Sequence, residues 1–277
     1  MAKDVVVVIG AGGIGLAIAR RQGFGKTLLL ADFNSKTLEA GAEGLREAGY
    51  EVATRHVDVS SRESVRALAD AAATTGNVAQ VVNTAGLSPN MASVERVLEV
   101  DLYGSALVFE EFGKVVAPGG AGLLVSSMAG HMMPALPPEH DHALAHTPAD
   151  ALLDLPFLKG DAIPNTLVAY MMAKRANILR VQAAAMTWGE RGARVNAISP
   201  GIVVTPLARH ELNSEIGDIY RAMVAASPAK RMAPPEEIAV AAAFLLGPDA
   251  GFVTGSDPLI DGGVVAAMRA GKLPTPG

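Results

Sequence analysis

Residues 4–22 read Asp4-Val-Val-Val-Val-Ile9-Gly10-Ala-Gly12-Gly-Ile-Gly15-Leu-Ala-Ile-Ala-Arg-Arg-Gln22, and the succession of textures within them decides the fold. An uncharged β-branched run at 5–9 has the character of a strand buried on both faces. It turns through glycines at 10, 12, 13 and 15 into an Ala-rich segment of helical period. Glycine permits the tight turn, the approach of backbone to a pyrophosphate, and close packing of helix on strand. The first N–H groups of the helix then point at the phosphates. Gly10, Gly12, Gly13, Ile14 and Gly15 are therefore candidate nucleotide-binding residues. Such turns are common after strands, so the weight lies in the context of strand before and helix after.

The same alternation continues outward. Strands are expected at 27–31, 52–57, 80–83, 123–126, 194–198 and 259–260. Helices are expected at 13–22, 35–48, 61–73, 93–112 and 166–188, with two more beyond 198. Ser35 reads as the N-cap of the second helix and Gly49 as its stop. Apolar strands alternating with helices imply a parallel sheet covered on both faces. Right-handed crossovers then give a doubly wound α/β sheet of Rossmann type, one domain over 1–277. Asp32 closes the second strand, where a carboxylate accepts both ribose hydroxyls and repels a 2′-phosphate. With no Lys or Arg inside the glycine loop, NAD is the expected cofactor. The competing reading of Asp32 is a turn residue capping the next helix.

Composition bounds the partners. The chain has 277 residues, half of them apolar, 18% charged, with net charge −5. That suffices for a large core. Without a basic stripe, and with 4% aromatics, no nucleic-acid partner is expected. Cysteine is absent, which rules out disulfides and thiolate metal sites. A leader peptide over 5–19 is disfavoured because Asp4 spoils its basic flank and the glycines break its apolar block. No other stretch reaches membrane-spanning length. The expectation is a soluble, cytoplasmic protein with a small-molecule substrate and no membrane partner.

The second half adds Asn83-Thr-Ala85-Gly86, Ser127 ending a strand in Leu-Val-Ser-Ser, Tyr170-Met-Met-Ala-Lys174, Arg194-Val-Asn-Ala-Ile-Ser-Pro200-Gly201 and Asp261-Gly-Gly263. Tyr170 and Lys174, at i and i+4, share a helical face. Together and in this order these motifs resemble the short-chain dehydrogenase/reductase family in its compact single-domain branch. The resemblance covers 4–263 apart from one insertion. It implies an oxidoreductase moving a hydride between nicotinamide and an alcohol or ketone carbon. It implies Tyr170 as general acid/base, Lys174 as the cation that stabilises its phenolate and binds the nicotinamide ribose, and Ser127 as the group holding the substrate oxygen. It further implies that Asp58 and Val59 contact adenine and that Asn83, Ala85 and Gly86 border the adenosine. Pro200, Gly201, Val203 and Thr205 would hold the carboxamide. A homo-oligomer, tetramer or dimer, is the family's habit, and the Ala-rich helix 166–188 suits a helix–helix interface.

Three features depart from the family. The glycine loop is tighter than the family's usual spacing. Asp101, in Val100-Asp-Leu-Tyr-Gly104, stands where an Asn usually holds a water beside the lysine; as an anion it would stabilise charged Lys174. A long segment at 131–165 separates Ser127 from Tyr170. It holds four of the six histidines, six prolines and many apolar residues without clear period. It reads as an inserted, open, lid-like loop suited to a bulky apolar substrate, or equally as a subunit contact. His140, His142 and His146 with Glu139 and Asp141 could supply metal ligands, but their spacing fits no single helical face, and no metal is expected. His131 is placed to reach the substrate. Two other functions stay open: a catalytically silent nucleotide-binding regulator, whose expected sign is loss of Ser, Tyr or Lys, and an epimerase or dehydratase, which usually has a larger C-terminal domain than follows Gly263.

Overall fold

The structure, a computed structural model, describes residues 2–213 and 217–273, without the side chains of Asp161, Leu207 and His210. Its centre is the pair of apolar strands β1 (Asp4–Ile9) and β2 (Thr27–Asp32), parallel, with Val5 beside Thr27 and Ile9 beside Ala31. The sheet continues through β3 (Glu51–His56), β4 (Asn77–Asn83), β5 (Ala121–Val125), β6 (Arg194–Pro200) and β7 (Leu259–Ile260). Its order is β3-β2-β1-β4-β5-β6-β7, parallel at every pairing. The strand order reverses between β1 and β4, so a crevice opens there at the carboxyl ends of the strands.

The helices are α1 (Gly13–Gln22), α2 (Ser35–Glu47), α3 (Arg62–Thr75), α4 (Val94–Val97), α5 (Ser105–Gly113), α6 (Met128–Met132), α7 (Pro138–His146), α8 (Ala149–Leu152), α9 (Thr166–Glu190), α10 (Pro206–Leu212), α11 (Gly217–Ala226), α12 (Pro235–Leu246) and α13 (Val264–Arg269). Alternate β1 residues face opposite ways. Val6 and Val8 pack with α1, α2 and α12, while Val5, Val7 and Ile9 pack with α3, α5 and α9. Burial on both faces is why this strand is continuously apolar rather than alternating.

Local differences from the sequence reading have physical causes. The N-cap of α2 is Asn34, not Ser35: its carboxamide oxygen accepts from Lys36 N and Thr37 N at 3.0 and 3.2 Å. β4 begins at Asn77, whose N–H bonds Lys3 O at 2.9 Å, so backbone pairing extends a strand its polar residues concealed. The helix expected at 93–112 is interrupted by a π-helical turn, Leu98–Gly104, that contains Asp101. Segment 131–165, expected to be irregular, contains the end of α6, all of α7 and α8, and two 3-10 turns. Leu144, Leu152 and Leu158 enter the main core, and α7 runs along α9. The Ala-rich side of α9, expected to face another subunit, is largely occupied inside the chain, with Ala169, Ala173, Ala176 and Val181 in that core. No described helix is long and apolar enough to cross a membrane.

Candidate active site

At the end of β1 the backbone has little room. Gly10 takes φ +99°, the left-handed region that favours glycine, and a Cβ there would lie 2.4 Å from Thr84 Oγ1. A Cβ on Gly15 would lie 2.0 Å from Gly10 O, so this helix start packs against the turn only as glycine. Gly12 has nothing within 4 Å of its Cβ position, leaving the outer rim of the loop open. The Thr84 hydroxyl donates to the carbonyls of Ile9 and Gly10 at 3.1 and 3.0 Å and ties the turn to the end of β4. Despite its tighter spacing, the loop is thus a backbone cradle of the kind that a pyrophosphate fits.

Asp32 sits beside this cradle. Its Oδ2 accepts from Ala11 N and its Oδ1 from Asn34 N, both at 2.7 Å. It therefore braces the loop, while Asn34 does the capping. Asp58 Oδ1 accepts from Ser60 N at 2.9 Å and stands 3.7 Å from Arg96 Nη2. Val59 is buried against Gly104. Asn83 Oδ1 accepts from Ala85 N at 3.1 Å, shaping the turn into Gly86. A Cβ on Gly86 would lie 2.5 Å from Asp101 Oδ1 and 3.3 Å from Lys174 Nζ, so the glycine admits the ion pair behind it.

That ion pair is the electrostatic centre of the site. Lys174 Nζ lies 2.8 Å from Asp101 Oδ1, with both side chains almost wholly buried. Asp101 Oδ2 accepts from Leu87 N at 3.0 Å, and its carbonyl accepts from Asn177 Nδ2 at 2.9 Å. Where the resemblance implies an Asn holding a water, Asp101 meets the ammonium directly. Burial pushes the Asp101 carboxyl up, against the opposing pull of Lys174. For Lys174 burial acts downward, but the Asp101 and Tyr170 charges outweigh it and hold the ammonium above its usual range. Its Nζ is 5.1 Å from the centre of the Tyr170 ring. Burial likewise raises the Tyr170 phenol; Lys174 and Ser127 oppose this, while Asp101 and Glu211 add to it.

Ser127 caps α6, its Oγ accepting from Ala129 N at 3.2 Å. Ser127 and Tyr170 line one cleft of about 750 Å³ with Ile14, Pro200, Gly201, Val203 and Thr205. The structure thus gathers the expected substrate-end residues into one space, with Asp32, Asp58 and Asn83 at neighbouring strand ends. Gly201 is required where it stands, since a Cβ would lie 2.7 Å from Asp261 Cα. Most of the remaining wall is apolar, including Met128, Met132, Met171, Met223 and Met268.

The histidine-rich segment is engaged elsewhere. His131 Nε2 meets Asp257 Oδ2 at 2.7 Å, and Ser199 Oγ donates to the same carboxylate at 2.9 Å. His131 is not in the cleft lining, contrary to expectation. His140 stacks on Phe157, His142 faces His146, and Asp141 pairs with Arg175. Sequence reasoning missed Ser88, Glu211 and Tyr220, all in the cleft wall. Only Ser88 had a signal, its place just after the Asn83–Gly86 turn.

Comparison with known proteins establishes the family. A family model described as enoyl-(acyl carrier protein) reductase matches residues 9–140 and 151–265. A short-chain dehydrogenase/reductase of Alternaria brassicicola, bsc3, is 39% identical over 97% of this chain and 98% of its own. The cis-4-hydroxycyclohexanecarboxylate dehydrogenase of Sinomonas cyclohexanicum is 32% identical over 96% of this chain and 98% of its own. Among solved structures, a single-site variant of actinorhodin polyketide ketoreductase with NADPH superposes with TM-score 0.73, at 26% identity, over 95% of this chain and 97% of that one. The chain belongs to the short-chain dehydrogenase/reductase family. Within it, it is a dehydrogenase or reductase of alcohol and ketone groups that uses a nicotinamide cofactor.

Proposed function

We propose that the protein is an NAD(H)-dependent oxidoreductase that interconverts a secondary alcohol and its ketone on a bulky, mainly apolar substrate. The observation that carries this reading is the meeting of Ser127 and Tyr170 in one apolar cleft that reaches Ile14 of the glycine turn, with the buried Lys174–Asp101 pair beside the Tyr170 ring. In alcohol oxidation Tyr170 takes the hydroxyl proton, Ser127 holds the oxygen beside it, and the Lys174 charge stabilises the phenolate. A nicotinamide bound there would supply the two-electron chemistry, as hydride acceptor for alcohol oxidation and, when reduced, as hydride donor for ketone reduction. Gly10, Gly12, Gly13 and Gly15 would hold the pyrophosphate, and Pro200, Gly201, Val203 and Thr205 the carboxamide end. Asp58, Val59, Asn83, Ala85 and Gly86 would border the adenosine.

NAD is favoured by Asp32, whose carboxylate would repel a 2′-phosphate at the ribose. One observation favours NADP instead: a groove beside Ala11 is lined by Arg20 and Lys36. Titration with NADH and NADPH, followed by cofactor fluorescence in wild type and Asp32→Ala, decides between them. We expect tight NADH binding, weak NADPH binding, and a gap narrowed at least ten-fold in the variant, about 1.4 kcal/mol. Tighter NADPH binding in wild type would assign the role to Arg20 and Lys36. Binding of neither at micromolar concentration would mean that the glycine loop is not a working phosphate cradle and would overturn the nicotinamide-dependent reading.

A further inference from the structure

The polar side chains of the described cleft wall can be accounted for one by one, and a single hydroxyl is left over. Ser126 Oγ donates to Lys174 O at 3.0 Å, and Thr205 Oγ1 accepts from Ala208 N at 3.1 Å. Asp218 pairs with Arg221 at 2.7 Å, Glu211 hydrogen-bonds Tyr220, and the Tyr170 phenol hydrogen-bonds Ser127. Ser88 is 4% exposed and lines the same cleft, yet its Oγ has no hydrogen-bond partner among the described residues. A buried hydroxyl without a partner costs free energy, and a hydrocarbon filling the cleft would leave it stranded. Its loop does not need it for shape. Leu87 N donates to Asp101 Oδ2 at 3.0 Å and Ser88 O accepts from Met91 N at 3.0 Å, which fixes the backbone on both sides.

The chain also places this hydroxyl along the cleft. The Cβ position of Gly86 lies 3.3 Å from Lys174 Nζ. Ser88 is two residues further on, so its Cα is at most about 7.6 Å from that of Gly86. β4, which leads into the Ser88 loop, is the neighbour of β5, which leads to Ser127. Neighbouring strands lie about 4.8 Å apart, a spacing that oxygens on adjacent or next-nearest carbons can span.

We propose that Ser88 determines specificity: its hydroxyl hydrogen-bonds a second, uncharged oxygen of the substrate, one or two carbons from the reacting carbon. The preferred substrates are then 1,2- or 1,3-dioxygenated alcohols or ketones with an otherwise apolar body. A serine hydroxyl both donates and accepts, so a hydroxyl or a carbonyl serves as the second group. This rests on the alcohol/ketone reading above.

Cyclohexanol and the 1,2-, 1,3- and 1,4-cyclohexanediols, with cis and trans isomers kept separate, test it. Dissociation constants are read by calorimetry on the Tyr170→Phe protein loaded with oxidised cofactor, and turnover is read separately on wild type. The best 1,2- or 1,3-isomer is expected to bind about ten-fold tighter than cyclohexanol, and no 1,4-isomer more than about two-fold tighter. Adding Ser88→Ala should bring the diol-to-cyclohexanol ratio to within about two-fold of one. Because the hydroxyl has no protein partner to lose, Ser88→Ala alone should not lower the midpoint of chemical denaturation. A lowered midpoint would give Ser88 a structural bond and overturn the proposal. Equal binding of all the compounds, or a ratio that Ser88→Ala leaves unmoved, overturns it as well, even if wild type oxidises the whole panel. NADH binding weakened ten-fold by the substitution would put the hydroxyl on the cofactor and overturn it too. The expected binding order without turnover of any compound supports the recognition and overturns the oxidoreductase reading instead.

Discussion

Two regions flank α9, the helix that carries Tyr170 and Lys174, and they differ in how they are held. Behind it lies the segment 131–165, whose leucines enter the main core. It is fastened by charge: Asp150 pairs with Arg62 at 2.9 Å, Asp141 with Arg175 at 2.6 Å, and Arg180 donates to the carbonyls of Leu144 and Thr147. In front lies α10–α11, which presents Glu211 and Tyr220 to the cleft and leaves Ile219 56% exposed. Among the described residues of 131–165, only Met132 lines the cleft. The described chain between Ser127 and Tyr170 thus packs mainly behind α9, while the later, shorter segment forms much of the cleft wall. Nearness in sequence to Ser127 or Tyr170 is no guide to which side of α9 a segment will pack.

The largest effect is expected on α9 itself, at the Lys174–Asp101 pair. Asp101→Asn removes one charge of a buried ion pair, and breaking such a pair costs up to about 3–5 kcal/mol, less here because the amide still accepts from the ammonium. The pH consequences have a definite sign. Asp101 raises the Tyr170 phenol and the Lys174 ammonium alike. Its loss lowers both, so the rising limb of kcat/KM for alcohol oxidation should move to lower pH. The loss of activity as Lys174 deprotonates should move down with it. An unmoved pH–rate profile in a folded variant would reduce Asp101 to a purely structural role.

Leu152→Ala tests the rear region alone. Leu152 is fully buried, and truncating such a leucine costs about 2–5 kcal/mol. We expect that loss in chemical denaturation, with KM of the folded fraction within two-fold of wild type. A raised KM with unchanged stability would make the segment part of the substrate site and erase the contrast.

Legibility followed the same division. The glycine turn after β1 is built from backbone constraints: Gly10 at positive φ, Gly15 under a carbonyl, Asp32 at a strand end. Each demands a particular residue type, so each leaves a mark in the sequence. The parallel sheet was readable because burial on both faces enforces unbroken valine and leucine runs. The substrate wall has no such demand. Glu211 and Tyr220 come together only through the packing of α10 and α11, and an isolated glutamate on a helix looks like any solvated one. The helices of 131–165 were hidden for a related reason, since α7 and α8 start at Pro138 and just after Pro148, and the prolines read as loop signals. The ion pair of Asp101 was foreseeable in charge but not in geometry, because the π-helical turn that carries it has no sequence period of its own.

The smallest expected effect on stability, and the one that separates the two regions most sharply, belongs to Ile219→Ala on α11. Because more than half of this side chain is already exposed, its truncation should change unfolding free energy by no more than about 0.5 kcal/mol. It also lines the cleft, so its methyl groups are expected to cover part of an apolar substrate. KM for a bulky cyclic alcohol should therefore rise several-fold while KM for a three-carbon alcohol stays put, because only the larger molecule reaches that wall. Paired with Leu152→Ala, this gives a double dissociation, stability without KM behind α9 and KM without stability in front of it. If both alcohols respond equally, Ile219 acts on the reacting centre rather than on the wall, and α11 must sit closer to Tyr170 than its place in the cleft lining implies.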